Sequence, residues 1–402
     1  MKNRLRLLYA LALPCCLLAL SGCSEEANVE TVDNTPVELQ VNPVVATLTR
    51  SAIGNSGSSG SAATDALKNI AVYAQSTTTN THANSNNYAL YSYSSGWTSG
   101  TDKIYLSSED ATIYAYHPAY QPGSNGEYKD TGTALKASTD DVADASTIGI
   151  SVYPGGAGTE ADYTITAVNN ADKKFTSSWV ENDAANTVKI ASAPGEVDYM
   201  WTTPVEADNG KGSSAKGNGK NLTMNHALAM LSFRIYNDGT YNNEGKLTKI
   251  TLKNGAGTTL TKGSTPTMKI KDGTVTPGSA TAVTYTRVIK EGSTDYYQII
   301  TTGSTASASV ATTANDARDA SKKFSILVMP EAAASSKNDV QAVFAIDGVD
   351  YTVPLTKNGT TIQWQQGKDY LYSVKLSGTE LSISGVTVAN WQNATGGDLV
   401  IQ

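Results

Sequence analysis

The chain has 402 residues, with 30 Lys and Arg against 37 Asp and Glu and a formal net charge of −7. A net-negative chain without basic blocks argues against a nucleic-acid partner, because phosphate contacts need clustered Lys and Arg. Three histidines and three cysteines argue against multi-histidine metal sites and disulfide frameworks. The 40% of apolar residues can fill a core, which argues against wholesale disorder.

The N-terminus has the composition of an export signal. Three basic residues precede an apolar run from Leu7 to Leu20, which is shorter than the roughly 20 apolar residues of a spanning helix. The run therefore predicts a signal peptide over residues 1–22. It ends in a Leu-Ser-Gly-Cys sequence at Cys23 that resembles the bacterial lipobox, so Cys23 is the predicted lipidation site. The alternative is ordinary secretion with Cys23 as a spare thiol.

A lipid on Cys23 would hold the precursor at a membrane. Such a cysteine carries several acyl chains, and two membrane signals already anchor a protein stably. The sequence Ser24-Glu25-Glu26 follows directly and resembles the surface-export signal of some Gram-negative lipoproteins. We therefore expect an outer-membrane lipoprotein precursor on the cell surface.

The rest of the chain has the composition of short β-strands. Runs of about four to eight residues rich in Val, Ile, Thr and Tyr recur between clusters of Gly, Ser, Asn and Asp, a pattern typical of strands and turns. Asp347-Gly348 separates two such runs and predicts a hairpin with a type I′ turn. Many short strands predict an all-β fold of β-sandwiches. The Gly-, Lys- and Ser-rich stretch at 209–220 divides the body into predicted domains at 51–210 and 211–402.

The sequence lacks the motifs of the common enzyme classes. G-x-S-x-G, H-E-x-x-H and C-x-x-C are all absent, and these would supply a nucleophile, a zinc site or a redox pair. His82, His117 and His226 are each interpreted as structural residues. Paired carboxylates such as Glu109-Asp110 lie in polar loops and are interpreted as solvated turns. We predict no enzymatic activity, no cofactor and no metal site.

An aromatic cluster in the first half has two interpretations. Tyr91 and Tyr93 lie on one face of a predicted strand, and Trp97 follows closely. Because Tyr and Trp rings combine an apolar body with a polar end, the three residues are candidate glycan contacts. The alternative is a half-buried sheet face with Trp97 in the core.

Several strings in this order resemble the fimbrillin family, the type V pilus subunits of gut and oral anaerobes. The resemblance covers nearly the whole chain, each string is weak alone, and their order carries the specificity. After the lipobox come Trp97–Leu106, Ile113–Pro118, His226–Phe233, the Asp347-Gly348 hairpin, Gly367–Tyr372 and Trp391.

The resemblance implies a specific fold and a specific life cycle. It implies two transthyretin-like β-sandwich domains in tandem and export as a lipoprotein precursor. It also implies cleavage after an arginine by an arginine-specific surface protease. Head-to-tail polymerisation with other pilus subunits by strand exchange would follow, in a fimbria that adheres to a host glycan or protein. Stalk, tip and anchor subunits share these features, so the choice among them stays open.

The leader at 23–50 contains a candidate cleavage site and a candidate strand. Arg50 is the only arginine between the signal peptide and Arg234, and Ser51 opens a Gly- and Ser-rich stretch of the extended kind that proteases cut. Before it, Val37, Leu39 and Val41 alternate with polar residues, as a half-buried strand does. Cleavage between Arg50 and Ser51 would free both the lipid and this strand. The alternative is an ordinary tether.

The C-terminal stretch 381–402 contains candidate donor strands. A donor must be extended and apolar on one face, so that its backbone adds to an open sheet edge. Two short runs fit, with a Gly396-Gly397 hinge between them, and the apolar residues concerned are Leu381, Ile383, Val386, Val388, Leu399 and Ile401. Alternatively, both strands complete the second sandwich. The rival function is a surface lipoprotein that does not polymerise and binds glycans.

Overall fold

The computed structural model describes residues 33–45, 67–76, 86–122, 131–138, 146–152, 179–182, 187–191, 197–212, 215–254, 260–289, 296–301, 317–318, 321, 323–330, 340–355, 364–378 and 380–390. Apart from a short helical stretch at residues 317–318, regular structure in these ranges is β-strand, which confirms the all-β prediction. No helix within them is long and apolar enough to cross a membrane. The predicted signal peptide, Cys23, His82, the Arg50-Ser51 site, Leu399 and Ile401 lie outside the described residues.

The first half of the chain, up to residue 210, contributes strands to several sheets. They are β1 (Val37–Glu38), β2 (Gln40–Val45), β3 (Asn69–Ser76), β4 (Tyr88–Tyr93), β5 (Trp97–Ser99), β6 (Tyr105–Leu106), β7 (Ala111–His117), β8 (Thr147–Gly149), β9 (Trp179–Asn182), β10 (Thr187–Ala191), β11 (Met200–Thr202) and β12 (Val205–Ala207).

The second half contributes the longest strands. They are β13 (Gly219–His226), β14 (Ala229–Asn237), β15 (Lys246–Asn254), β16 (Thr261–Gly263), β17 (Thr267–Lys269), β18 (Val275–Thr276), β19 (Ala280–Ala282), β20 (Tyr285–Val288), β21 (Tyr297–Gln298), β22 (Ile300–Thr301), β23 (Lys323–Val328), β24 (Val340–Ile346), β25 (Val349–Pro354), β26 (Lys368–Ser377) and β27 (Glu380–Asn390).

An eight-stranded sheet organises the N-terminal part, in the order β2-β13-β11-β7-β3-β4-β5 with β12 beside β7. Strand β3 is buried on both faces, because its alternate residues enter two different cores. Ile70 and Val72 belong to one apolar cluster, whereas Ala71 and Tyr73 belong to the other. Strand β13 follows residue 210 in the chain but lies in this sheet between β2 and β11. The proposed domain division at 210 stays a prediction.

A seven-stranded and a five-stranded sheet form the C-terminal sandwich. Their orders are β27-β26-β14-β23-β10-β9, with β22 beside β14, and β20-β15-β24-β25, with β21 beside β15. Phe233 of β14 contacts Phe344 of β24 with ring centroids 5.6 Å apart, so the inner faces of the two sheets share one core. Strand β8 pairs with β17, which joins the two halves of the chain.

The predicted hairpin at Asp347-Gly348 is confirmed. Both residues have positive φ, 50° and 78°, and they connect β24 to β25. The Asp347 carboxylate accepts hydrogen bonds of 2.8 Å from the Tyr241 hydroxyl and from the backbone N–H groups of Gly245 and Lys246. Burial alone would raise the pKa of Asp347, but these donors outweigh it and hold the pKa below its usual range. The turn is therefore fastened to the start of β15 as well as formed locally.

Candidate functional site

The leader strand predicted from the sequence occupies an edge of the eight-stranded sheet. Strand β2 runs parallel to β13, in register from Gln40 opposite Gly219 to Val45 opposite Met224. Just before it, β1 pairs antiparallel with β6, so that Val37 lies opposite Leu106. The leader is thus held by hydrogen-bonded neighbours on two sides, and its removal would open the edge of β13.

The leader closes an apolar core with one face. Leu39, Val41 and Val45 are 0%, 6% and 1% exposed, whereas Gln40 and Asn42 between them face solvent. Burial of such a side chain stabilises by roughly 1.5 to 3 kcal/mol. The floor beneath these side chains is formed by buried residues of the same cluster, among them Ile104, Leu106, Leu222 and Met224. Without the leader, this floor would be an open apolar groove.

Three side chains hold the leader by its backbone carbonyl groups. The Tyr91 hydroxyl donates to the Leu39 carbonyl oxygen at 2.9 Å, and the Asn218 amide donates to that of Glu38 at 2.8 Å. The Asn209 amide donates to the carbonyl oxygen of Asp33 at 2.7 Å. We call Tyr91, Asn209 and Asn218 the carbonyl clamps. Because every strand carries carbonyl groups, these contacts do not depend on the sequence of the bound strand.

Two carboxylates of the leader make side-chain contacts with the domain. Glu38 lies 2.7 Å from the Lys103 ammonium and accepts from the Ser99 hydroxyl at 2.9 Å. The Lys103 hydrogen bond lowers the pKa of Glu38 against the opposing effect of burial. Asp33 lies 3.0 Å from Lys211, and hydrogen bonds from the Thr35 side chain and backbone, then from Lys211, lower its pKa to about 2.

These depressed pKa values predict faster release of a cleaved leader in acid. A carboxylate with a depressed pKa stabilises the docked state above its ordinary pKa, and that contribution is lost as the pH falls through the depressed value. Glu38 is held by Lys103 of the domain, whereas for Asp33 only the contact with Lys211 counts, because Thr35 belongs to the leader itself. For these contacts the window lies below about pH 4.5. We expect the leader to dissociate several-fold faster at about pH 3 than at about pH 7, measured by gel filtration after cleavage.

The control for acid release is the variant carrying Glu38→Gln and Asp33→Asn, which removes both titrations. Its release rate should change little over the same range, provided that circular dichroism shows an intact fold. A native leader whose release is independent of pH, or slower in acid, would contradict the assignment of these two carboxylates.

The structure describes one of the two candidate donor strands. Leu381, Ile383, Val386 and Val388 lie on β27, the outer strand of the seven-stranded sheet, which is antiparallel to β26 over its length. Leu381 and Val386 are buried, 8% and 9% exposed, and Val388 is 39% exposed. In this state β27 completes the C-terminal sandwich.

The candidate glycan contacts occupy different environments. Tyr91 is 1% exposed, and its hydroxyl is one of the carbonyl clamps, so its ring faces the core. Tyr93 and Trp97 are half-buried and contact each other at 5.7 Å between ring centroids, and Trp97 also packs against the core. A cavity of about 330 Å³ beside these strands is lined by Tyr88 and Tyr120 together with polar side chains of β4 and β5.

Two of the histidines are buried and bonded. His117 Nδ1 lies 2.8 Å from the Asn69 carbonyl oxygen, and His226 Nδ1 lies 2.8 Å from the Asp198 carboxylate, with both side chains of the latter pair fully buried. The described residues contain no group of three or more His, Cys, Asp or Glu that could hold a metal ion. Both rings therefore contribute to the packed interior through these contacts.

Sequence reasoning located the leader but missed its partners. Lys103 and Ser99 follow Glu38 by more than sixty residues, and Asn209 and Asn218 follow it by more than 170. No local pattern links residues so far apart. The one available signal was the polar stretch at 209–220, interpreted as the division between two domains, whose two asparagines contact the leader.

Comparison with protein families gives one result. The model described as fimbrillin-like matches residues 150–391, which is more than half of the chain. No curated protein gives a significant match.

Several solved structures from gut Bacteroides species are similar over most of the chain. A candidate cell adhesion protein from Bacteroides uniformis is 15% identical with a TM-score of 0.47, covering 89% of this chain and 99% of its own. A fimbrial protein from Bacteroides vulgatus is 12% identical with a TM-score of 0.47, covering 89% and 100%. A candidate cell adhesion protein from Bacteroides ovatus is 15% identical with a TM-score of 0.45, covering 92% and 99%. At TM-scores below 0.5, this likeness does not establish a shared function.

Proposed function

Because the chain belongs to the fimbrillin-like family and is thereby a pilus- or adhesion-related surface protein, we propose that it is a pilus subunit that polymerises by strand exchange. It is exported as a lipoprotein anchored through Cys23, and a protease cuts it after Arg50. The cut releases the lipid and the leader strand together. A strand from a second copy then takes the place of the leader.

The position of the leader strand at the edge of the eight-stranded sheet supports this proposal. Strand β2 is an edge strand, so it can leave without breaking the order of the remaining strands. Its departure uncovers the edge of β13 and the apolar positions filled by Leu39, Val41 and Val45. An open edge with an apolar floor recruits another strand. A contact between different surfaces of identical copies produces an open filament when its rotation does not close into a ring.

The chain offers a donor beyond its last described strand. The sequence after β27 contains Gly396-Gly397 followed by Asp398-Leu399-Val400-Ile401, a pattern that predicts a hinge and an apolar strand. Using this segment leaves the pairing of β27 with β26 in place. Burial of its aliphatic side chains at roughly 1.5 to 3 kcal/mol each would stabilise the contact between copies.

Incubation of a lipid-free precursor, beginning at Ser24, with an arginine-specific protease tests the proposal. We expect loss of the residues before Ser51 and then ladders of SDS-resistant oligomers, because an exchanged strand is held by a full set of backbone hydrogen bonds. Arg50→Ala should give neither product, whereas Arg234→Lys serves as the control for cleavage elsewhere. A subunit that is cut at Arg50, loses its leader and stays monomeric would favour a glycan-binding surface protein instead.

A further inference from the structure

Building on the proposed function, we propose that an acidic side chain sets the register of the exchanged strand. Lys103 and Ser99 bind this side chain in the acceptor groove, where they now hold the Glu38 carboxylate. The incoming strand is the Asp398–Ile401 segment of a second copy of this chain, and Asp398 occupies the position of Glu38.

The carbonyl clamps alone do not select a register. Tyr91 and Asn218 bind the carbonyl oxygens of Leu39 and Glu38, and every residue of an incoming strand offers the same acceptor. Burial of the apolar face excludes a shift by one residue, but a shift by two residues keeps the same face on the floor. A correct register therefore needs a contact that distinguishes one side chain from its neighbours.

Glu38 is the side chain that supplies such a contact in the leader. It is the only charged residue within β1 and β2, and its carboxylate meets both an ammonium and a hydroxyl group. Glu38 directly precedes Leu39, which is fully buried. The charged contact therefore lies one residue before the first apolar site of the groove. A strand with an acid directly before a leucine satisfies both sites at once.

An acid directly before a leucine is rare in this sequence. An acidic residue is followed directly by leucine at Glu38, Glu380 and Asp398 and at no other position of the sequence. In each case an aliphatic residue lies two positions after the leucine: Val41, Ile383 and Ile401. The match therefore covers the acid and the two apolar sites that follow it.

Of the two possible donors, Asp398 fits the structure better. Glu380 begins β27, which is hydrogen-bonded to β26 and buries Leu381 and Val386, so its transfer would open the C-terminal sandwich. The Asp398 segment lies outside that pairing.

In the proposed exchange, the donor takes the place of the leader residue by residue and in the same chain direction. With Asp398 at the position of Glu38, Leu399 occupies the site of Leu39 and Ile401 that of Val41. Both of those sites lie in the core. An aspartate is one methylene shorter than a glutamate, and the Lys103 side chain, which is 42% exposed, is long and free enough to close the gap.

Charge reversal of the two partners tests the assignment. Lys103→Glu and Asp398→Lys should each slow ladder formation about tenfold, because like charges then face each other in the groove. The variant with both changes should recover to within about threefold of the wild type, since the pair is restored with opposite polarity. Glu380→Lys is the matched control and should assemble at the wild-type rate.

Leader release is measured in the same samples. Lys103→Glu repels Glu38 and should release the leader faster, so slow assembly of this variant cannot come from a retained leader. Should either single reversal assemble normally, or the double variant stay slow, the register assignment is wrong while strand exchange stands. Should the wild type lose its leader and form no ladders, the proposed function itself fails.

Cross-linking provides a second measurement that needs no variant. A zero-length carbodiimide joins a carboxylate to an amine only when the two are in contact. Wild-type ladders should yield a peptide in which Lys103 is linked to Asp398. Ladders that link Lys103 only to another acid would overturn the proposed register.

Discussion

A disulfide between the leader and β6 should abolish assembly completely. Glu38 lies opposite Tyr105 in the antiparallel pair of β1 and β6, where Cβ atoms are about 4.5 to 5.5 Å apart, close to the separation that a disulfide requires. Glu38→Cys with Tyr105→Cys, oxidised, should still be cut at Arg50. The cut leader would stay attached, and no SDS-resistant ladder should form.

Reduction of the same sample provides the decisive comparison. With the disulfide broken, the leader can leave and ladders should appear at least as fast as in the wild type, because the contact with Lys103 that held Glu38 of the leader is lost. Glu38→Cys alone cannot form this disulfide and is the matched control under oxidising and reducing conditions. Ladders from the fully oxidised double variant would show that the groove of the leader is not the acceptor site.

Phe233→Ala should strongly destabilise the C-terminal sandwich. The ring is fully buried, it stacks on Tyr372 with centroids 5.4 Å apart, and it contacts Phe344 edge-on. It therefore joins β14 to a neighbouring strand and to the facing sheet. Removing such a ring costs about 3 to 5 kcal/mol in the free energy of unfolding, measured with urea.

A substitution on the surface of the same sandwich supplies the control. Val349 is 53% exposed next to the hairpin turn, so Val349→Ala should change the free energy of unfolding by less than about 0.5 kcal/mol. A loss below about 1 kcal/mol for Phe233→Ala would mean that the contact between the two sheets of the C-terminal sandwich is wrongly described.

The parts of the fold that rest on local chemistry were predictable. The hairpin at Asp347-Gly348 follows from the preference of a type I′ turn for residues that accept positive φ. The all-β character follows from short runs of β-branched and aromatic residues between turns. The burial of Leu39 and Val41 agrees with their alternation along the leader.

Contacts across the groove were not predictable. The pair Glu38 and Lys103 joins residues that are 65 positions apart. For Tyr91, its own strand left two interpretations open, a glycan contact or a half-buried sheet face. Its burial depends on where the leader lies, because the leader covers that face of β4. The local pattern of a single sequence does not predict which distant strands become neighbours.

Local sequence is enough to predict the class of secondary structure, the Asp347-Gly348 turn and the inward-facing residues of the leader, since each depends on a few neighbouring residues. The parallel pairing of the leader with β13 and the hydrogen bonds from three distant side chains to its carbonyl groups are visible only in the folded chain. The folded chain also places β13 in the same sheet as strands from the first half. These features depend on backbone pairing between distant segments, which many different side chains can satisfy equally well.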